Sequence, residues 1–481
     1  MPRTLSTTRM LDEGRCTDAG NADRFAAKFK DRVRYCKRLK SWFIWDEKRF
    51  APDITGRIIE LAKEVALDIY DEAANVEGTD KTAAAQREQL SRWAIKSEDG
   101  RRLREMVYLA ESDRRLAITP DELDRDPWLL NVQNGTLDLR TCTLRESHDV
   151  GDLITRITPV PYDPTARCDE WIKFMTTIMC GRQDLVDYLQ EICGVSLIGR
   201  CSEQKLFILI GEGRNGKTTF LEVYCGVLGP DYASSVPLRA LTAGSHDEHP
   251  TALASFKRLR FMYAVEPKKS AKFDDGAIKS ITGGDDQQTR KMRQNYSGGK
   301  VNGTLLLALN NPPATSDNSV AMKDRLRLIP FDFYIDPNKR DVMMESKLLA
   351  ESAGILAWAV EGLKRWTAAG RRFTSEPDDV LNKSREFWQR QDPKASTISA
   401  LPTQVEECFM AADDRLVPMN TGQSYQAHVT WCQESNLEPL GRTTFYGAME
   451  ALGYRRGEID KAGTVGWPTL ALRPQGGGGK S

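Results

Sequence analysis

Residues 205–219, Lys205-Leu-Phe-Ile-Leu-Ile-Gly-Glu-Gly-Arg-Asn-Gly-Lys-Thr-Thr219, run an apolar strand straight into a glycine-rich turn and a lysine. From Gly211 the spacing is Gly, four residues, then Gly216-Lys217-Thr218, which satisfies the phosphate-binding loop pattern in full. Gly211, Gly213 and Gly216 let the backbone turn tightly and bring its NH groups against phosphate oxygens, where a Cβ would obstruct. Lys217 can reach β- and γ-phosphates, and Thr218 can offer its hydroxyl to magnesium. A helix from Thr218 to about Leu228 points its positive dipole end at the same phosphates. The nucleotide contacts expected from this stretch are Gly211, Glu212, Gly213, Arg214, Asn215, Gly216, Lys217, Thr218 and Thr219, with ATP and Mg2+ as the ligands.

Around this loop there is room for about three domains in 481 residues. Lysine plus arginine equals aspartate plus glutamate, 68 each, so no global basic field exists and any nucleic-acid contact must come from local clusters. The ten cysteines show no Cys-x-x-Cys pair and no zinc spacing, and read as reduced packing thiols of a cytoplasmic protein. No 18-residue apolar run or signal peptide is visible, so neither membrane insertion nor secretion is expected. The terminal Gly476-Gly-Gly-Gly-Lys480-Ser481 has Pro474 where a phosphate loop needs its first glycine, and no helix follows; it reads as a tail.

The first twenty residues read as a loose leader. Asn21 to Asp53 alternates aromatic and charged residues and suggests the short strands of a small α+β unit, whose aromatic and basic content is either a sheet core, the preferred reading, or a nucleic-acid contact. Helical spacing covers Ile58 to Ala73 and Leu103 to Leu116, and Asn134-Gly135 between apolar runs signals a hairpin. Two helices, Asp169 to Cys180 and Gln183 to Leu197, lead into the phosphate loop.

Past the loop, Lys257-Arg-Leu-Arg-Phe-Met-Tyr-Ala-Val-Glu266 reads as a basic entry followed by a buried strand ending in a carboxylate. Thr304 to Asn310 reads as one ending in an amide, and Arg325-Leu-Arg-Leu-Ile-Pro-Phe as one starting with two arginines. Continuous apolar strands among helices imply a parallel sheet covered on both faces, with its ligand crevice at the strands' carboxyl ends. Glu266 can then hold metal or polarise water, Asn310 can orient that water, and Arg325 or Arg327 can neutralise charge in the transition state.

Five segments in this order resemble a superfamily 3 helicase of the AAA+ type, close to the helicase half of phage and plasmid primase-helicases and related to the poxvirus helicase-primase. They are Gly211 to Thr218, Arg258 to Pro267, Ile281 to Asp286, Leu307 to Pro312 and Asp324 to Phe331. A looser likeness extends upstream through Asn131 to Leu139 and Tyr162-Asp-Pro-Thr-Ala. The resemblance implies an α/β fold: an AAA+ type domain with a parallel sheet, preceded by an α+β and helical accessory region and followed by a winged-helix-like domain. The expected divisions are leader 1–20, accessory domain 21–165, helical collar 166–200, helicase domain 201–375, winged-helix-like domain 376–472 and tail 473–481. It implies an ATP-dependent DNA helicase or translocase in replication of a phage or other mobile element inside a bacterial host. The implied assembly is a ring, as a hexamer, with a separate primase or polymerase as partner. An ATP-switched initiator or docking ring without unwinding is the alternative. Where relatives pair two acids, Val265 precedes Glu266, so metal handling rests on Thr218 and one carboxylate; nothing upstream resembles a primase catalytic domain, and a stand-alone helicase is expected.

In this family the stretch between the second and third strands forms a hairpin that lines the ring channel. Here it carries Arg290, Lys291, Arg293, Tyr296 and Lys300, the expected DNA contacts. The tail, Tyr425 to Leu472, reads as helix, helix and a two-stranded wing with Arg442, Arg455 and Arg456, equally fit for DNA or protein docking. His246 and His249 lack a second ligand pair and read as a loop before Pro250.

Overall fold

The computed structural model describes residues 15–200, 203–242, 259–265, 272–283, 303–315, 317–391, 393–412, 416–435 and 437–473. The expected Glu266, the basic hairpin residues Arg290, Lys291, Arg293, Tyr296 and Lys300, and His246 and His249 lie outside these residues.

The chain's first described element is a helix, Asp18–Phe29, where a leader and then short strands were expected. The local reason is a capped start. Thr17 accepts from the Gly20 NH, and Ala22, Phe25, Ala26 and Phe29 then fall on one buried face. The short strands come after it: β1 (Val33–Cys36), β2 (Ser41–Trp45) and β3 (Phe50–Pro52) form an antiparallel sheet. The helices Arg57–Ala74 and Gly100–Ala110 close the core over that sheet. Between them lies a helix that the apolar spacing did not signal, Lys81–Ser97, which buries only Ala83, Leu90, Trp93, Ala94 and Ser97. A buried polar tie fixes it, since Asn21 donates to Ser97 and accepts from the Trp93 indole. The last helix ends at Ala110 instead of Leu116; Leu116 is buried from a turn whose carbonyl accepts from the Tyr35 NH.

The expected hairpin forms from β4 (Leu129–Val132) and β5 (Gly135–Asp138), with β6 (Thr143–Arg145) alongside. Its turn is Gln133-Asn134, not Asn134-Gly135, because Gly135 already pairs with Val132. A Cβ on Gly135 would lie 2.1 Å from the Arg145 carbonyl, so this glycine serves the approach of β6.

The main sheet is parallel throughout: β7 (Leu206–Ile210), β8 (Ala233–Ser235), β9 (Phe261–Val265), β10 (Thr304–Leu309) and β11 (Leu326–Pro330), in spatial order β11-β7-β10-β9-β8. Successive residues divide between two cores. Phe207, Leu209, Phe261, Leu306 and Ile329 join one, and Leu206, Ile208, Met262, Leu305, Leu307 and Leu328 the other. This is why these strands are apolar without alternation.

Helices Lys217–Leu228, Gln183–Ser196 and Ser352–Ala368 contribute to the first core. The last two cross with their backbones nearly touching, since a Cβ on Gly362 would lie 2.1 Å from the Gln190 carbonyl. The other face carries helix Asp275–Gly283 and Phe387 of helix Asp378–Gln391. That last helix lies past the expected boundary at residue 376 yet packs on β11, where its Ser384 hydroxyl accepts from the Leu328 NH.

Arg260, just before β9, ties the β4–β5 hairpin to this sheet. Buried over the Tyr232 ring, it donates to the carbonyls of Leu197 and Leu129. Beyond the sheet, helices Pro393–Cys408, Thr421–Glu434 and Arg442–Ala451 pack with short strands β12 (Phe409–Ala411), β13 (Met419–Asn420), β14 (Gly457–Glu458), β15 (Val465–Trp467) and β16 (Leu470–Leu472). Among the described residues no helix is long and apolar enough to cross a membrane.

Candidate nucleotide site

β7 ends at Ile210 and the helix begins at Lys217, so six residues make the loop between them. Its shape rests on left-handed conformations at Gly213, Arg214 and Gly216, with φ of 56°, 51° and 83°. Arg214 adopts that region without glycine's freedom, and its carbonyl is held by the Ile335 NH at 2.8 Å. Gly216 packs under helix Asp169–Ile178, and a Cβ there would lie 2.7 Å from Ile178 Cγ2. Gly211 is closed in likewise, with the Phe331 carbonyl 2.2 Å from where its Cβ would be. Gly213 has nothing within 4 Å of that position, which leaves open space over the loop for a ligand.

Lys217 is 5% exposed and donates to the Gly211 carbonyl (2.6 Å) and to Asn215 Oδ1 (2.9 Å). Asn215 in turn donates to the Phe331 carbonyl at 3.0 Å, so this buried amide braces the lysine and ties the loop to the end of β11. The lysine lies among neutral acceptors, and desolvation lowers its pKa from 10.5 to about 8. Helix Lys217–Leu228 aims its first turn at the same space, with Thr218 exposed there.

The loop opens into a cleft of about 1180 Å³. Gly213, Arg214, Asn215, Gly216, Lys217, Thr218 and Thr219 line it, whereas Gly211 and Glu212 do not. Asn310 reaches it because β10 lies beside β7 in parallel register, with Leu309 opposite Ile210. Val265, the last residue of β9, lines it as well. The carboxyl ends of three adjacent strands therefore meet at the loop.

Arg325 and Arg327 do not line the cleft. Arg325 closes a short helix, Val320–Arg325, started by the Ser319 cap, and so does not open the strand as the sequence suggested. It donates to the Thr282 hydroxyl and the Ala321 carbonyl. Arg327 is held by both oxygens of Glu376 at 2.8 Å. Leu326 pairs with Leu206 at the start of β7, so both arginines sit roughly 13 Å of strand away from the loop end.

Sequence reasoning missed two walls of the cleft. Helix Asp169–Ile178 contributes Glu170, Lys173, Phe174, Thr177 and Ile178, and the segment 333–347 contributes Phe333, Ile335 and Arg340 among others. Glu222 and Glu345 also face it, and burial, then the charge of Glu345, raises the Glu222 carboxyl above its ordinary range. No local pattern marks these residues, because only the tertiary fold brings them to the loop.

The residues fit a nucleoside polyphosphate. Gly213 leaves space, the first turn presents its NH groups, and Lys217 is a desolvated amine that a phosphate would pair. A pH dependence follows. Below about pH 8 the lysine is already charged, whereas above it binding a phosphate draws a proton onto the neutral amine. Affinity for ATP is expected to fall by up to about tenfold per pH unit above pH 8. Titration calorimetry in buffers of different ionisation enthalpy checks this: proton uptake on binding at pH 8.5 to 9 agrees, and none disagrees.

Comparisons with known proteins place a family domain upstream of this site. Residues 22–180 match the family described as D5 N terminal like. A protein of Acanthamoeba polyphaga mimivirus that bears the provisional name of a helicase is 28% identical over 215 residues, 44% of this chain and 22% of its own length. One of invertebrate iridescent virus 3, also provisionally named a helicase, is 26% identical over 44% of this chain and 23% of its own. One of African swine fever virus, provisionally named a primase, is 26% identical over 39% of this chain and 20% of its own. The chain thus spans about a fifth of the length of these relatives. Among solved structures, the apo NrS-1 C-terminal region superposes at a TM-score of 0.49 with 8% identity, covering 94% of this chain and 98% of that one. A second form gives 0.47 with 10% identity over 78% and 76%. With its D5 N-terminal-like domain and these viral relatives, the chain is related to the primase-helicase family of large DNA viruses.

Proposed function

We propose that this chain is the ATP-driven motor of a replication helicase: a superfamily 3, AAA+ type ATPase that moves on DNA as a ring, as a hexamer, in replication of a viral or other mobile element. The observation that carries the reading is the conjunction of a complete phosphate loop with Asn310 and the end of β9 at one cleft on a parallel sheet. The strand order β11-β7-β10-β9-β8 puts the loop strand between its last- and next-to-last-numbered partners, an order that supports the AAA+ reading. The helicase and primase names of the viral relatives agree with a replication role.

In this reading Lys217 binds the β- and γ-phosphates and Thr218 offers its hydroxyl to magnesium, which when bound neutralises phosphate charge. Asn310 orients the attacking water. Glu266, carried over from the family resemblance, follows Val265 and acts on that water as a base. The cluster Arg290, Lys291, Arg293, Tyr296 and Lys300 grips the strand in the ring channel, and a winged-helix-like C-terminal unit docks DNA or protein.

Phosphate release with and without single-stranded DNA tests the proposal. Magnesium-dependent ATP hydrolysis that DNA accelerates is expected. A protein that binds no ATP, or hydrolyses it at the same rate whether or not it is bound to DNA, contradicts it.

A further inference from the structure

The chain has no net charge, yet between Lys30 and Lys40 six lysines and arginines stand against one aspartate. The structure concentrates them around β1. Lys30 and Arg32 precede the strand, Arg34 lies in it, and Lys37, Arg38 and Lys40 fill the turn to β2 together with Leu39, which is 46% exposed. This turn is ordered by backbone bonds from Leu39 to Cys36 and from Lys40 to Lys37, with Lys40 at φ 52°.

Several other cations of the same unit are paired. Arg24 meets Glu72 at 2.6 Å, Lys28 meets Asp68 at 2.7 Å, Arg102 meets Asp18 at 2.8 Å and Arg115 meets Asp113 at 2.6 Å. Lys37 reaches Glu111 at 3.3 Å while staying 79% exposed, and Lys30, Arg32, Arg34 and Lys40 form no ion pair among the described residues. The Arg32 and Arg34 guanidinium groups lie over the Phe29 and Phe50 rings, and Arg34 also donates to the Lys30 and Val33 carbonyls, which fixes the two cations in place.

We propose that this β1–β2 edge is a second nucleic-acid contact surface, binding the phosphate backbone without reading sequence. An ordered turn and strand carrying six basic side chains against one aspartate within eleven residues suits a polyanion of regular spacing. The strand spans roughly 13 Å, the rise of about four nucleotides of one strand. Cations at its two ends can therefore engage separate phosphates of one nucleic-acid segment. This surface is remote in sequence from the 290–300 cluster and does not depend on the nucleotide site.

The test uses the full chain without nucleotide, so it stands whether or not the protein hydrolyses ATP. Binding of a fluorescent mixed-sequence DNA strand is followed by anisotropy across a salt series for wild type and for the combined Arg32→Ala, Lys37→Ala, Lys40→Ala variant, with a thermal melt to show an intact fold. Affinity at low salt is expected to drop about tenfold, and the salt slope by about 2, at roughly 0.7 per contact. A second variant, Arg32→Lys with Lys37→Arg and Lys40→Arg, keeps the charges and should keep the slope. An unchanged affinity and slope in the alanine variant overturns the proposal. So does a variant that loses binding to phosphatidylserine vesicles while still holding DNA, which assigns the edge to a membrane surface instead.

Discussion

Lys217→Ala should lower ATP turnover by at least about two to three orders of magnitude while the protein stays folded. The scale is that of removing one preorganised charge-stabilising donor from a transition state. The fold should survive because the loop keeps its other ties when the two hydrogen bonds of Lys217 are lost. Its amine sits desolvated against two neutral acceptors, and Asn215 keeps its own bond to the Phe331 carbonyl when the lysine is gone. Truncation leaves a small gap beneath the loop and removes a buried charge, two changes of opposite sign in stability. Paired measurements of steady-state phosphate release and of the melting curve check this. Turnover near that of the wild type in a folded variant removes Lys217 from the nucleotide site.

A second large effect is expected between subunits. Arg325 and Arg327 sit at the amino end of β11, and the phosphate loop lies at the carboxyl ends of β7 and β10. Neither arginine can serve its own chain's loop in this arrangement. Arg327 is moreover committed to Glu376, which also meets Lys205 at 3.2 Å. Arg325, held among the described residues by a hydroxyl and a carbonyl, is the better candidate to reach a neighbouring subunit's ATP. A finger supplied in trans contributes about three to five orders of magnitude in rate, so on the proposed shared site Arg325→Ala should lower turnover nearly as fully as Lys217→Ala. Mixing the two inactive variants creates some interfaces with an intact loop and an intact finger, and ATPase should partly return. Mixed assemblies that form and stay inactive contradict the shared site, as does a protein that remains monomeric with ATP and DNA.

What the sequence made legible was what is local. The turn between β7 and its following helix could be read because a buried strand, the glycines and Lys217 are contiguous, and the parallel sheet because β7, β9 and β10 are apolar without alternation. Asn310 follows the apolar strand β10 and lines the cleft. Where tertiary contacts choose between local options, the reading slipped. Arg325 follows a serine-capped turn and joins a helix, and Gly135 serves the approach of β6 instead of the turn. Helix Lys81–Ser97 buries too thin a stripe to announce itself. The walls of the cleft come from segments more than 30 residues before and more than 100 after the loop, so no window of sequence could have joined Ile178 to Gly216 or Ile335 to Arg214. Glu266 and the 290–300 cluster rest on the family resemblance, outside the described residues.

The central claim is that ATP turnover at the Lys217 loop drives strand separation. Its most direct measurement is displacement of a labelled strand from a forked DNA duplex by the full chain. Displacement is predicted with ATP and magnesium, and none is predicted with a non-hydrolysable analogue or with Lys217→Ala. Displacement that proceeds equally without ATP contradicts the claim, as does a protein that binds the fork and hydrolyses ATP yet leaves the duplex intact.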